Sequence, residues 1–181
     1  GCYGFCNFCS IALHQGRRIQ TRSEQSVLDE ARELTEKPNF KGYIHDIGGP
    51  TANFRAPSCQ KQLEHGLCKG KKCLAPTPCK NLVADHSEYL DILRSVRKID
   101  GIKKVFIRSG IRFDYLIADQ NEDFFKELVR HHVSGQLKVA PEHCSQNVLR
   151  RMGKPNISVY NRFKKRFYEL TESIGKKQYL V

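Results

Sequence analysis

Apolar and polar residues follow two rhythms along this chain: a three-and-four spacing that marks helices, and short apolar runs that mark strands. Val27, Leu28, Ala31 and Leu34 fall on one helical face behind Ser23 or Ser26, either of which can cap the helix, and Pro38 ends it. Tyr43-Ile44-His45-Asp46-Ile47 has the pattern of a short buried strand closed by the turn Gly48-Gly49-Pro50. A second helix, from about Ser87, carries Tyr89, Leu90, Leu93 and Val96 on one side and stops at Asp100-Gly101. Val105-Phe106-Ile107 is the next strand and runs into Arg108-Ser109-Gly110. Asn121 can cap a third helix bearing Phe124, Phe125, Leu128 and Val129, which ends at Ser134-Gly135. Leu137 to Ala140 makes a third strand before Pro141-Glu142-His143, and a short helix after Ser145 ends near Gly153. Ser158 opens a long helix whose Tyr160, Phe163, Phe167, Leu170 and Ile174 are spaced as core, and a fourth strand starts at Gln178.

Strands alternating with helices imply parallel β-α units and an α/β fold. Chemistry in such folds lies at the carboxyl ends of the strands. The Gly-Gly-Pro turn, Arg-Ser-Gly and Pro-Glu-His all follow strands. Residues 55–84 break the rhythm: they have no helical or strand periodicity and hold Cys59, Cys68, Cys73 and Cys79 among Lys, Gly and Pro. A loop of that length is uncommon unless something orders it, and a metal would.

Composition narrows the picture. Thirty-one Lys and Arg against 19 Asp and Glu give a formal charge of +12, which suits an anionic partner such as RNA or equally a solvated basic surface. No apolar run approaches the ~20 residues needed to cross a bilayer, and nothing at the amino end reads as a secretory signal, so no membrane partner is expected. The eight cysteines then fit a reducing cytoplasmic setting, with ligation or catalysis expected before disulfides. The start at Gly1, with Cys2 beside it, reads as an internal piece of a longer protein.

Cys2, Cys6 and Cys9 stand as Cys-x3-Cys-x2-Cys. Three thiolates can hold three irons of a [4Fe-4S] cluster that normally takes four cysteines, leaving one iron for a ligand that is not protein. Phe8 would place a ring against that ligand. The competing reading, a disulfide or zinc site, lacks the paired knuckles totalling four ligands that zinc usually takes. This chain resembles the radical S-adenosylmethionine (SAM) superfamily. The stretches GCYGFCNFCSIALHQGR, DIGGPTANFR, CKNLVADHSEYLDILRSVR, KKVFIRSGIRFDYL and LKVAPEHCSQNVLRRMGKP together resemble the YgiQ-type radical SAM proteins over the whole chain.

The resemblance implies a radical SAM core over 1–181, a partial (β/α)6 barrel of parallel strands with its leading strand and at least one trailing unit outside the chain, and a cysteine-rich insertion at 55–84. It implies that Cys2, Cys6 and Cys9 bind the cluster, that SAM completes it, and that an electron donor reduces it so that SAM yields a 5′-deoxyadenosyl radical acting on an unknown substrate. The superfamily often sets a Gly-Gly-Glu strand end against the SAM amino group; here the match is Gly48-Gly49-Pro50-Thr51, without the acid. Ser109 and Arg112 could meet the ribose or the methionine carboxylate, and Glu142 and His143 the ribose hydroxyls. For each of these four a loop-stabilising hydrogen bond is the equal alternative.

Cys144 reads as an inert buried thiol before a hydrogen-atom donor, and His131-His132 as a solvated face near a helix end. The spacings of eight, four and five residues between Cys59, Cys68, Cys73 and Cys79 match neither a zinc knuckle nor a common ferredoxin run, yet four thiols amid Lys69, Lys71, Lys72 and Lys80 suit a second metal, zinc or an auxiliary iron–sulfur cluster. The rival to the enzyme is a non-catalytic, metal-stabilised nucleic-acid-binding module in which both cysteine groups are structural and the basic charge does the binding.

Overall fold

A computed structural model describes all residues, 1–181. In chain order come α1 (Ile11–His14), α2 (Glu24–Thr35), β1 (Tyr43–Ile44), α3 (Gln60–His65), α4 (Ser87–Arg97), β2 (Lys104–Val105), α5 (Phe113–Ala118) and α6 (Asp123–Glu127), which runs into a π-helical turn (Leu128–His132). Then follow β3 (Gln136–Leu137), α7 (Gln146–Met152), α8 (Ile157–Ser173) and β4 (Tyr179–Leu180). The architecture is α/β with parallel pairing throughout: Ile44 lies against Val105, Leu137 against Leu180, and an isolated bridge joins Ile111 to Val139.

Regular ladders are shorter than the apolar runs because each run leaves the ladder after two residues. Single bonds carry the pairing on: Phe106 N donates to Ile44 O at 2.9 Å, Ile107 N to His132 O at 2.9 Å, and Val139 N to Val181 O at 2.8 Å. The strands form two small sheets that do not close into a barrel, and β1 pairs with β2 alone.

Local chemistry sets the helix starts. The Ser23 side chain accepts from Ser26 N, as a cap should, and α2 ends before Pro38. Asn121 Oδ1 takes the Asp123 amide at 2.9 Å. The long helix α8 is capped two residues earlier than the sequence suggests: Asn156 accepts from Ser158 N, so Ser158 is donor rather than cap. One face of α4 buries Tyr89, Leu90, Leu93 and Val96 against α2 and β2, and truncating a residue such as Leu93 costs about 2–5 kcal/mol. The aromatics of α8 are core as expected, with Phe163 stacked on Phe125 at 5.4 Å.

A second, smaller core holds Cys2, Tyr3, Ile19, Phe54, Leu74 and Tyr115. Tyr3 stacks on Phe54 at 4.1 Å and meets Tyr115 edge-on at 5.9 Å. This cluster seats the cysteine loop, and through Leu74 it also anchors residues 55–84, which are less structureless than their sequence suggests and contain α3.

Two expectations fail, the first only in half, since His131 is exposed as expected. His132 is fully buried, its Nδ1 bonded to Val105 O at 2.8 Å, because the π-helical turn rotates it inward between α6 and β2. Cys144 is exposed, because the turn before α7 carries it outward rather than into the core. No helix is long and apolar enough to cross a membrane.

Candidate metal and cofactor site

The loop after Gly1 is pinned at several points. Cys2 N donates to Gly16 O at 3.1 Å and Cys9 N to Cys6 O at 3.2 Å. Asn7 docks on the end of α7, its backbone N on Met152 O at 2.8 Å and its side chain on Arg151 O at 2.5 Å. Phe5 takes a positive φ of 48°, a conformation few non-glycine residues adopt without outside support. These constraints bring Cys2, Cys6 and Cys9 to one cavity of about 150 Å³, walled also by Phe8, Pro50, Thr51, Arg112, Glu142 and Lys154. Half of Phe8 is exposed at the mouth.

Arg112 dominates the wall. Its guanidinium forms a bidentate pair with Asp114 at 2.9 and 2.6 Å, and its remaining Nη1 donates to Cys6 Sγ at 3.4 Å. Burial alone would lower the pKa of Arg112; the Asp114 carboxylate overrides it and holds the cation. Gly4 makes room, since a Cβ there would lie 2.5 Å from Arg112 Nη1. Asn53, itself buried, clamps the Arg112 backbone by accepting from its N at 2.8 Å and donating to its O at 3.2 Å. Behind it stand His86, 3.1 Å away, and Asp119, 2.6 Å from His86 Nδ1.

A second cation, Lys154, lies 3 % exposed with Nζ 3.5 Å from Glu142 Oε1. Burial first, and Arg112 second, lower its pKa. Glu142 holds a φ of +73°, a strained geometry that clusters at functional sites. Thr51 places its hydroxyl 3.9 Å from Cys2 Sγ.

Pro50 and Thr51 also wall a neighbouring cavity of about 350 Å³ that holds Gly48, Gly49, Asp46 and Tyr89. A Cβ on Gly49 would meet nothing within 4 Å, whereas one on Gly48 would strike Ser109 and Asp46. The nearest acid to the two glycines is Asp46, two residues before them, and it ties down the loop after β2. Asp46 Oδ1 accepts the Arg108 and Ser109 amides at 2.9 and 3.1 Å, and Oδ2 accepts the Ser109 hydroxyl. Ser109 is therefore tied to Asp46 and does not wall the cysteine cavity. His143 does not wall it either: it is exposed and its Nδ1 accepts from Ser145 N at 2.8 Å.

The structure unites Cys2, Cys6, Cys9, Pro50, Thr51, Arg112 and Glu142, and sets Gly48 and Gly49 next door. Sequence reasoning missed Lys154, Asp114, Asn53 and Asp46. Only the Arg-x-Asp spacing of 112 and 114 hinted at a pair.

Three thiols on one cavity are a donor set that an iron–sulfur cluster could take, each thiolate on a different iron. No three Cys, His, Asp or Glu side chains converge on a single-ion site. Two buried cations beside the thiols suit a net-negative centre. Cys59, Cys68, Cys73 and Cys79 gather separately, around a cavity of about 130 Å³.

Fold and site together define a class: an α/β protein of parallel strands with three loop thiols gathered against buried Arg and Lys. In sequence the chain is similar to proteins named only as UPF0313 protein. One from Clostridium perfringens strain SM101 is 61 % identical over all 181 residues, which make up 27 % of that relative. Another, from Clostridium botulinum strain 657, is 60 % identical over the same span, 28 % of its length. The chain thus spans about a quarter of the curated relatives it matches. No protein-family profile and no solved structure matches it.

Proposed function

We propose that this chain is the core of a radical SAM iron–sulfur enzyme of the YgiQ type, part of a (β/α)6 barrel, in which Cys2, Cys6 and Cys9 hold a [4Fe-4S] cluster. With SAM and an external electron donor, that group supplies a 5′-deoxyadenosyl radical by one-electron cleavage of SAM. The observation that carries this reading is the convergence of the three thiols with Thr51, Arg112, Glu142 and Lys154 on one cavity.

The chain's own groups then have distinct tasks. Arg112 and Lys154 offset the negative charge of thiolates and sulfides, Arg112 doing so while fixed by Asp114. Charge-assisted bonds from such fixed donors are the strong ones. Tyr3 and Phe54 keep water from the buried side of the loop. Pro50 and Thr51 line both the thiol cavity and the larger one beside it, so a ligand such as SAM would lie against that shared wall. Asp46 and Gly48 line that second space, with Ser109 tied to Asp46 behind them.

Anaerobic reconstitution tests the reading. Reduced wild-type protein should convert SAM to 5′-deoxyadenosine, and Cys6→Ala should lose both the iron and the product. A colourless zinc protein, or wild-type product from Cys6→Ala, overturns it. A second reading, the nucleic-acid-binding module, draws on the +12 charge and a basic groove between Lys98, Lys103 and His131. It requires salt-dependent RNA binding with no SAM cleavage.

A further inference from the structure

We propose that Cys59, Cys68, Cys73 and Cys79 hold a second iron–sulfur cluster, independent of the first and of the SAM reading. All four thiols line the same cavity of about 130 Å³ although they are spread over 21 residues of an irregular segment, and none is in a disulfide. The chain is shaped around them. Cys59 precedes α3 and its carbonyl takes the Gln62 amide at 3.0 Å, while Gln62, buried, returns its side-chain oxygen to Ser58 N at 3.1 Å. Gly66 and Gly70, at φ of +73° and +63°, turn the chain back toward Cys68 and Cys73. Cys79 N then closes on Cys73 O at 2.8 Å, and Val83 N on Ser58 O at 2.8 Å shuts the two ends of the segment.

Charge and spacing indicate what the cavity takes. Lys61, Lys71 and Lys72 line it, and Arg17 reaches in from the first loop to bond Cys68 O at 3.1 Å and Lys71 O at 2.6 Å. The Arg17 Nε is buried with no partner. No carboxylate lines the cavity, so four thiolates would be its only negative groups. A zinc ion would draw all four sulfurs to about 2.3 Å from one point. Eight and five residues separate the outer thiols from Cys68 and Cys73, so the four do not form the two paired knuckles of structural zinc.

The two centres would be close neighbours. Lys72 bonds Asn7 Oδ1 at 2.5 Å and lies 5.8 Å from the Phe5 ring, on which Arg17 stacks at 4.4 Å. Phe5 also walls the first cavity.

The test uses the full chain purified without oxygen. A Cys2/Cys6/Cys9→Ala variant should retain iron and sulfide in equal, stoichiometric amounts, two or four of each per chain. Adding Cys73→Ala should abolish them. Stoichiometric zinc in the triple variant, or no metal together with four freely alkylated thiols in the native state, overturns the proposal. Should the triple variant not fold, Mössbauer and iron counting on wild type decide instead: one three-cysteine cluster alone, at about four irons, overturns it, and a clear excess of iron in a second spectral component supports it. A triple variant that keeps its cluster beside a wild type unable to cleave SAM would sink the proposed function and leave this proposal standing.

Discussion

The loop of Cys2, Cys6 and Cys9 rests on a stacked aromatic core and on two buried cations held by carboxylates, whereas the segment of Cys59 to Cys79 rests on Leu74, its own turns and exposed lysines. In the first, counter-charge is built before any metal arrives: Arg112 and Lys154 remain in place because Asp114 and Glu142 hold them. In the second, Lys61 and Lys71 are exposed, and Arg17 and Lys72 are held by carbonyl and amide oxygens rather than by carboxylates. The lesson is that one domain can gather thiols in two ways, one on a packed core with buried counter-charge and one by turns and hydrogen bonds within an irregular segment.

The largest expected effect that separates the regions is Arg112→Leu. It strands Asp114, 2 % exposed, without its cation, and losing one partner of a buried pair costs about 3–5 kcal/mol. Lys71→Ala, in the other region, should stay within about 0.5 kcal/mol. Urea unfolding of the metal-free proteins measures both, and equal losses would erase the contrast.

Acid should act on neither region directly but through the larger core, where His132 lies against Val105 and Ile107. Burial pushes the His132 pKa from 6.5 down to about 4. Between those values the unfolded chain takes up a proton that the folded one refuses. Stability is therefore full above pH 6.5 and falls as pH drops toward 4, by up to about 3 kcal/mol. His132→Asn should flatten that slope in urea titrations at pH 7 and pH 5. A steeper slope in the variant would contradict the assignment.

The smallest effect is a single methyl. In Gly4→Ala the new Cβ presses on Arg112 Nη1, and overpacking of this kind costs about 1–3 kcal/mol. Iron retention at the first site should fall, while Gly110→Ala, where a Cβ meets no neighbour and φ is not positive, should leave that site's iron unchanged. Reconstituted iron per chain reads the difference.

What the sequence revealed follows from how local each signal was. The capped helices and the parallel β-α rhythm rest on residues within a few positions of each other, and the cysteine triplet announces itself in nine residues. The contact of Arg112 with Cys6 spans 106 positions and the Asn53 clamp 59, so no spacing rule reaches them. The short α5 carries Asp114 and Tyr115 to the site, yet it is too brief to show a helical period. His132 misled because a π-helical turn shifts the face that an α-helical spacing assigns.

The seat of Asn7 on α7 has a temporal consequence. Its partner Arg151 lies 144 residues later in the chain. At a synthesis rate of roughly 5–20 residues per second, the first loop waits about 7–30 s between emerging and finding that seat. During that interval its three thiols are open to oxidants and to stray metal ions. Any metal that this site takes would therefore meet a loop that lacks its anchor until Arg151 has been made.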